Sequence, residues 1–125
     1  METTNHEYYV SLEVAKLLKE AGFDWETFGY YNKLGFFHRA VPHNGETAAP
    51  TLAVAQKWLR EVKNISVDIS STRYSEWEYI IRKINQANHN DNTISALTAC
   101  RFYTHEEAQE AGIQKCLEIL LEEKK

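Results

Sequence analysis

In this 125-residue sequence, the residue types and spacing of Cys100 and His105 suggest a possible catalytic pair. A thiol beside an imidazole can act as an activated nucleophile when a third polar group orients the ring. The sequence predicts a strand at Cys100 and the first turn of a helix at His105, with no third polar group evidently placed beside them. We therefore interpret Cys100 as a small buried side chain and expect no catalysis there.

The pair of histidines at His38 and His43 has the next most suggestive spacing. A zinc site would need a second pair of ligands at suitable spacing, which the sequence lacks. An enzyme would require His38, His43 and His105 to converge in a polar pocket. The sequence also contains no phosphate-binding loop, nucleophile elbow, H-E-x-x-H zinc motif or calcium loop. We therefore expect no catalytic residues, no metal and no cofactor, and we interpret the two histidines as solvated.

A cluster of aromatic residues is the densest unusual composition in the chain, with Lys33 and Arg39 interleaved. Rings beside basic groups are used by single-stranded nucleic-acid platforms, and exposed rings also mark protein interfaces. A two-stranded unit alternates its faces, so about half of these rings would lie in the core in any case. Asp24 and Glu26 dilute any positive field, so core, protein interface and nucleic-acid platform all stay open. The cluster comprises Trp25, Phe28, Tyr30, Tyr31, Phe36 and Phe37.

A set of basic side chains in the middle of the chain supports the nucleic-acid alternative. Residues 51–103 carry seven basic and five acidic side chains, although the whole chain has a net charge of −4. A nucleic-acid binder would need a contiguous positive face and a salt-sensitive affinity. A solvated helix face is the simpler interpretation, and we expect nucleic acid not to be the partner. The candidate basic face is Lys57, Arg60, Lys63, Arg82 and Lys83.

Three amphipathic helices are predicted near 11–21, 51–63 and 104–122. Ser11, Thr51 and Thr104 are suitable N-cap residues, and Thr104 opens a capping box. Gly22 is suited to a left-handed helix end. In the last helix Cys116 falls on a core position. Ala108 and Gly112 lie one turn apart on another side of this helix, which we expect to pack against a sheet. Glycine lowers helix stability, and close packing against another element would offset that cost.

Strands are predicted between the helices, where the hydrophobic period changes from 3.6 to 2. Antiparallel hairpins are expected near 27–41 and 64–85, and a further strand near 96–102. The strand from Trp77 to Asn85 is expected to be covered on both faces. The fold class is therefore α+β: one domain spanning 1–125, with an antiparallel sheet of about four to five strands packed with three helices in layers.

The setting predicted from composition is the cytoplasm. No apolar run approaches the roughly 18 residues needed to span a bilayer, and the N-terminal residues are polar. The two cysteines do not have CxxC spacing, so a disulfide framework is not expected. We expect no membrane partner.

Three segments resemble a family of small uncharacterised proteins found in gut Bacteroides-type bacteria and their phages: Ser11–Phe23, Ala49–Lys63 and Thr104–Ile113. The central and C-terminal parts also resemble the phage ABA-sandwich domain, an α/β module of unknown function. These resemblances imply a phage or prophage setting and layers of helices on a sheet, and they supply no catalytic residues. Combined with the absent catalytic motifs, they lead us to expect a non-enzymatic accessory protein that binds another protein or a second copy of itself.

Overall fold

The computed structural model describes residues 9–43, 45–72, 76–84, 93–96 and 102–123, the fourth range by its backbone alone. Its helices are α1 (Leu12–Ala21), α2 (Leu52–Val62) and α3 (His105–Glu123). Its strands are β1 (Tyr30–Tyr31), β2 (Phe37–His38), β3 (Thr47–Ala48), β4 (Ile65–Ser71), β5 (Trp77–Lys83) and β6 (Thr93–Ala96). The fold is α+β, as the sequence predicts.

The helices begin and end through the local bonds that their sequences favour. The side chains of Ser11 and Thr51 accept hydrogen bonds from the backbone N–H groups of Val14 and Val54, both at 3.2 Å. Thr104 accepts from the N–H of Glu107 at 3.0 Å. At the end of α1, Gly22 has φ 101° and the N–H of Phe23 donates to the carbonyl of Leu18, which is the predicted left-handed ending.

The strands form two three-stranded antiparallel sheets, where the sequence suggested one. The small sheet has the order β2-β1-β3 and the larger sheet the order β4-β5-β6. The small sheet contains β3, which sequence analysis missed because two residues are too short to show an alternating pattern. Of the strand predicted near 96–102, Ala96 ends β6 and Phe102 bridges to Trp77, while 97–101 lie outside the described residues.

The β4-β5 hairpin has one apolar and one polar face. Val67 pairs with Ile81 and Ile69 with Tyr79 on the face that meets the helices. On the opposite face, Asp68 pairs with Ile80 and accepts a hydrogen bond from the Arg82 guanidinium at 2.7 Å. The expectation that β5 is covered on both faces is therefore not met by the described residues: Ile80 is half-buried, and Ile84, just past the end of β5, is exposed.

Helix α3 packs directly on this sheet at Gly112. A Cβ atom added there would stand 2.8 Å from Val67 Cγ1 and 3.0 Å from Tyr79 Cβ, closer than carbon atoms normally approach. Ala108, one turn earlier, is fully buried. The line of small residues lets α3 approach the sheet, as the sequence predicts.

The segment Val10–Ser11 connects the small sheet to α3. The Tyr31 hydroxyl donates to the Val10 carbonyl at 2.8 Å, and the Glu110 carboxylate accepts from the Ser11 N–H at 3.2 Å. Both sheets therefore pack around a shared core that includes Trp58, Ile113 and Cys116. In the described part of the chain, no helix combines the length and apolar character that crossing a bilayer requires.

Candidate interaction surface

The hairpin that carries most of the aromatic cluster is shaped by Asn32. Its side-chain oxygen accepts hydrogen bonds from the backbone N–H groups of Leu34 and Phe36 at 2.9 and 3.0 Å. Its carbonyl accepts from the N–H of Gly35, whose φ of 89° suits glycine. The turn therefore returns the chain tightly and holds Leu34 at its tip and Phe36 directly before β2.

The small sheet has a buried inner face formed by two rings of the cluster. Tyr31 pairs with Phe37, and their ring centroids lie 5.4 Å apart in an edge-on arrangement. Phe37 also contacts the ring of Tyr9 at 4.9 Å. These two members of the predicted interaction set therefore belong to the core.

The outer face of the same sheet is exposed. Tyr30 pairs with His38, and their rings stack with centroids 5.1 Å apart. The amide of Asn32 lies 3.0 Å from His38 Nε2, which fixes the imidazole beside the tyrosine. Directly paired residues share a face of an antiparallel sheet, and positions two apart along a strand share it too, so Phe36 belongs to this side.

Large apolar side chains are unusually exposed at this hairpin. Phe28 is 61% exposed, Phe36 64% and Leu34 81%. Trp25 is half-buried beside Phe23, with ring centroids 6.4 Å apart. We define the hairpin patch as Phe28, Tyr30, Leu34, Phe36 and His38.

Two basic residues lie in the hairpin that carries the patch. Residues 27–45 contain Lys33 and Arg39 and no aspartate or glutamate, in a chain whose net charge is −4. Lys33 and Arg39 are both exposed. The acids Glu26 and Glu46 lie directly before and directly after this stretch. The hairpin therefore presents rings and cations together.

A second candidate surface is an acidic groove between α1 and α3, which sequence analysis did not identify. It has a volume of about 740 Å³, and its apolar lining residues are Leu17 of α1 with Ile119 and Leu121 of α3. These three side chains are half-buried. Among the described residues its charged lining consists of Lys115 and four exposed carboxylates: Glu20, Glu118, Glu122 and Glu123. We refer to these residues together as the acidic groove.

Glu110 lines a smaller cavity of about 510 Å³ with Phe102, Ala111 and the carboxylates Glu106 and Glu107. Burial raises the pKa of the Glu110 carboxyl, and the charge of Glu13 raises it further, against lowering by its hydrogen bonds from Ser11. Burial also raises the pKa of the nearby Tyr31 hydroxyl, and the negative charge of Glu110 adds to that rise. The role of Glu110 is structural, because its hydrogen bond from the Ser11 N–H ties α3 to the start of α1.

The candidate basic residues are dispersed and mostly engaged. Lys57 Nζ lies 4.0 Å from Glu61 Oε2, and Lys63 Nζ lies 5.5 Å from the centroid of the Trp58 ring. Arg82 is paired with Asp68 at 2.7 Å. Because successive residues of a strand face opposite sides, Arg82 and Lys83 lie on different faces of the sheet. Arg60 is exposed on α2.

The three histidines that an enzyme would have to bring together lie in different parts of the structure. His38 stacks on Tyr30 in the small sheet, whereas His105 contacts the ring of Trp77 in the larger sheet at 5.1 Å. The backbone N–H of His43 donates to Glu46 Oε1 at 2.6 Å. Cys100 lies outside the described residues, and in those that the structure describes no three His, Cys, Asp or Glu side chains cluster as metal ligands would.

Two residues of these surfaces, Leu34 and Leu17, are absent from the predicted sites. Leu34 is not an aromatic residue, although an apolar residue between the strands of a hairpin has no core to enter, and that was the available signal. Leu17 is half-buried and lines the acidic groove. Pairing of helices in space, which creates such a groove, has no signature in a single helix.

Comparison with known proteins gives no relative from which residue roles could be carried over. No protein-family model matches the chain, and neither a curated protein nor a solved structure was found to be similar to it.

Proposed function

We propose that this chain is a non-enzymatic binding protein whose hairpin patch docks on another protein. The observation that supports it most is the exposure of Phe28, Leu34 and Phe36 at one hairpin, since apolar side chains at a docking surface are covered only when a partner is bound. Tyr30 and His38, fixed against each other, add a rigid polar-aromatic rim. Aromatic residues at a rigid site lose little conformational entropy on binding.

The partner surface that fits this patch is apolar and acidic. Lys33 and Arg39 flank the rings without a carboxylate in residues 27–45, so they favour a partner that supplies carboxylates. A nucleic-acid partner is supported less well, because Arg82 is paired with Asp68 and lies on the opposite face of the sheet from Lys83.

The biological setting proposed for this role is a phage or prophage, in the host cytoplasm. Support comes from the resemblance of the three helical segments to proteins of gut Bacteroides-type bacteria and their phages. The buried free thiol of Cys116 is in keeping with a reducing compartment.

The proposal is tested by selecting short random peptides on the immobilised protein and titrating the selected peptides in solution. We expect enrichment of acidic peptides with aromatic or aliphatic residues, and at least tenfold weaker binding to the Leu34→Ser/Phe36→Ser variant. A matched control is Val62→Ser, which changes an exposed apolar residue of α2.

Two results would contradict the proposal. One is equal loss of peptide binding in the control and in the hairpin variant. The other is salt-sensitive binding of single-stranded oligonucleotides with no peptide enrichment, which would transfer support to the nucleic-acid alternative.

A further inference from the structure

The acidic groove has the chemistry that complements the hairpin patch. Its half-buried lining residues include the apolar Leu17, Ile119 and Leu121, and its exposed lining residues include Glu20, Glu118, Glu122 and Glu123. The hairpin patch offers the reverse arrangement, with exposed Leu34 and Phe36 flanked by Lys33 and Arg39. Apolar contact in the middle and opposite charges at the edge is the usual anatomy of a specific protein interface.

The two surfaces do not overlap on one molecule. The hairpin turn packs near the start of α1, where a Cβ at Gly35 would stand 3.4 Å from Leu12 Cδ2. The groove instead uses Leu17 and Glu20, from the second half of the same helix. Each molecule can therefore use its hairpin patch and its groove at the same time.

The size of the groove suits the side chains that would enter it. The groove is open to solvent and has a volume of about 740 Å³, which leaves room for two large apolar side chains such as those of Leu34 and Phe36. Lys33 and Arg39 carry the charge opposite to that of the groove's exposed carboxylates, among them Glu118 and Glu122. Such exposed pairs contribute mainly to orientation and to association rate, and they are screened by salt.

From this complementarity we propose that the partner of the hairpin patch is a second copy of this chain, which receives it in its acidic groove. This inference rests on the function proposed above and names the partner. The contact is heterologous, because different surfaces of the two copies meet, so repetition gives rings or open chains of molecules.

A mixing experiment with the full chain tests this arrangement. The hairpin variant Leu34→Ser/Phe36→Ser keeps its groove, and the groove variant Glu118→Lys/Glu122→Lys keeps its hairpin patch. A control variant, Asp24→Lys/Glu61→Lys, makes the same change of charge at exposed positions outside the groove. Sedimentation velocity is measured for each protein alone and for an equimolar mixture of the first two.

We expect wild type and the control to associate with rising concentration and to dissociate as salt is added. Each of the two variants alone should associate at least tenfold more weakly. Their mixture should form a 1:1 pair, because one intact hairpin patch meets one intact groove. A paired substitution, Lys33→Glu/Arg39→Glu mixed with the groove variant, should form the same pair through reversed charges.

Three results would overturn the inference: wild type that stays monomeric at all concentrations, a groove variant that associates like wild type, or a mixture that shows no pair. The mixture also checks folding, since pairing requires that both variants keep their remaining surface. If wild type stays monomeric while the selected acidic peptides still bind the hairpin patch, only the second-copy inference fails. If peptide binding fails as well, the proposed function fails with it.

Discussion

The amide of Gln109 in α3 donates a hydrogen bond to the side-chain oxygen of Gln56 in α2 at 2.6 Å, and Gln56 in turn donates to the Val67 carbonyl of β4 at 2.8 Å. Gln109 is 8% exposed. This chain of two amides joins three elements beneath the larger sheet. Since buried polar groups are costly when they lack partners, both glutamines are held in place by each other.

Removing one member of this pair should destabilise the fold more than removing a surface glutamine. We expect Gln109→Ala to lower the free energy of unfolding by about 1–3 kcal/mol, because the Gln56 oxygen loses its buried donor. Urea denaturation followed by circular dichroism measures this. The matched control is Gln114→Ala: its amide donates to Glu118 on the same helix at an exposed site, so its loss should change stability by less than about 0.5 kcal/mol.

A double-mutant cycle would show whether the two glutamines act as a unit. Gln56→Ala and Gln109→Ala should be non-additive, with the double variant less destabilised than the sum of the single variants. Strict additivity would mean that the two side chains contribute independently.

Gly112→Ala should also destabilise the protein, although alanine favours a helix by about 1 kcal/mol over glycine. The added methyl group would meet Val67 Cγ1 at 2.8 Å, and overpacking of this kind costs about 1–3 kcal/mol. The net result expected in thermal unfolding is a lower midpoint. In a Val67→Ala background the same substitution should be tolerated better, and a stabilising Gly112→Ala would show that α3 does not approach the sheet so closely.

The glutamines and the glycine illustrate what the sequence could and could not predict. Gly112 was identified because a glycine within a helical pattern is costly without a neighbour that needs the space. Gln56 stands beside Lys57 in α2, and its polar type alone favours the solvent side of the helix. Its inward bond depends on Gln109, 53 residues away, and such a pairing leaves no periodic signal.

The candidate surface was predictable to a similar degree. Alternation along the hairpin indicated that about half of the aromatic cluster would be buried, and Tyr31 and Phe37 do lie inside. Which half would be exposed depended on the register around Asn32, and this is set by a side-chain bond in the turn. The acidic groove depends on how α1 and α3 pack, so neither helix alone revealed it.

Stability should vary with pH through Glu110. Burial raises its folded-state pKa above the ordinary value of 4.5, so the folded state binds the proton more tightly than the unfolded state. Its contribution therefore favours folding at low pH and is lost as pH rises from about 4.5 through the raised folded-state value.

Replacing Glu110 by glutamine should remove this dependence. The free energy of unfolding of Glu110→Gln, relative to that of wild type, should be higher at pH 7 than at pH 4. Urea denaturation at both pH values measures it. Glu123→Gln, at the exposed end of α3, is the control and should show no such difference from wild type. A pH dependence in Glu110→Gln equal to that of wild type would contradict the assignment.

The thiol of Cys116 should react only when the protein unfolds. Burial raises its pKa to about 12, so the reactive thiolate is scarce at neutral pH and the sulfur is shielded. In a Cys100→Ser background, labelling by a disulfide reagent should be slow and should accelerate through the urea transition. Rapid labelling of the native protein would show that the core around Cys116 opens readily.

Site-specific photo-crosslinking tests the central claim, that the hairpin patch is covered by protein, most directly. A photoreactive phenylalanine is placed at Phe36 or, as the control, at Val62, and the chain is irradiated in the cells that produce it. The account predicts a discrete protein adduct from position 36, reduced by Leu34→Ser, and little from position 62. Equal adducts from both positions, or an adduct to nucleic acid from position 36, would contradict it.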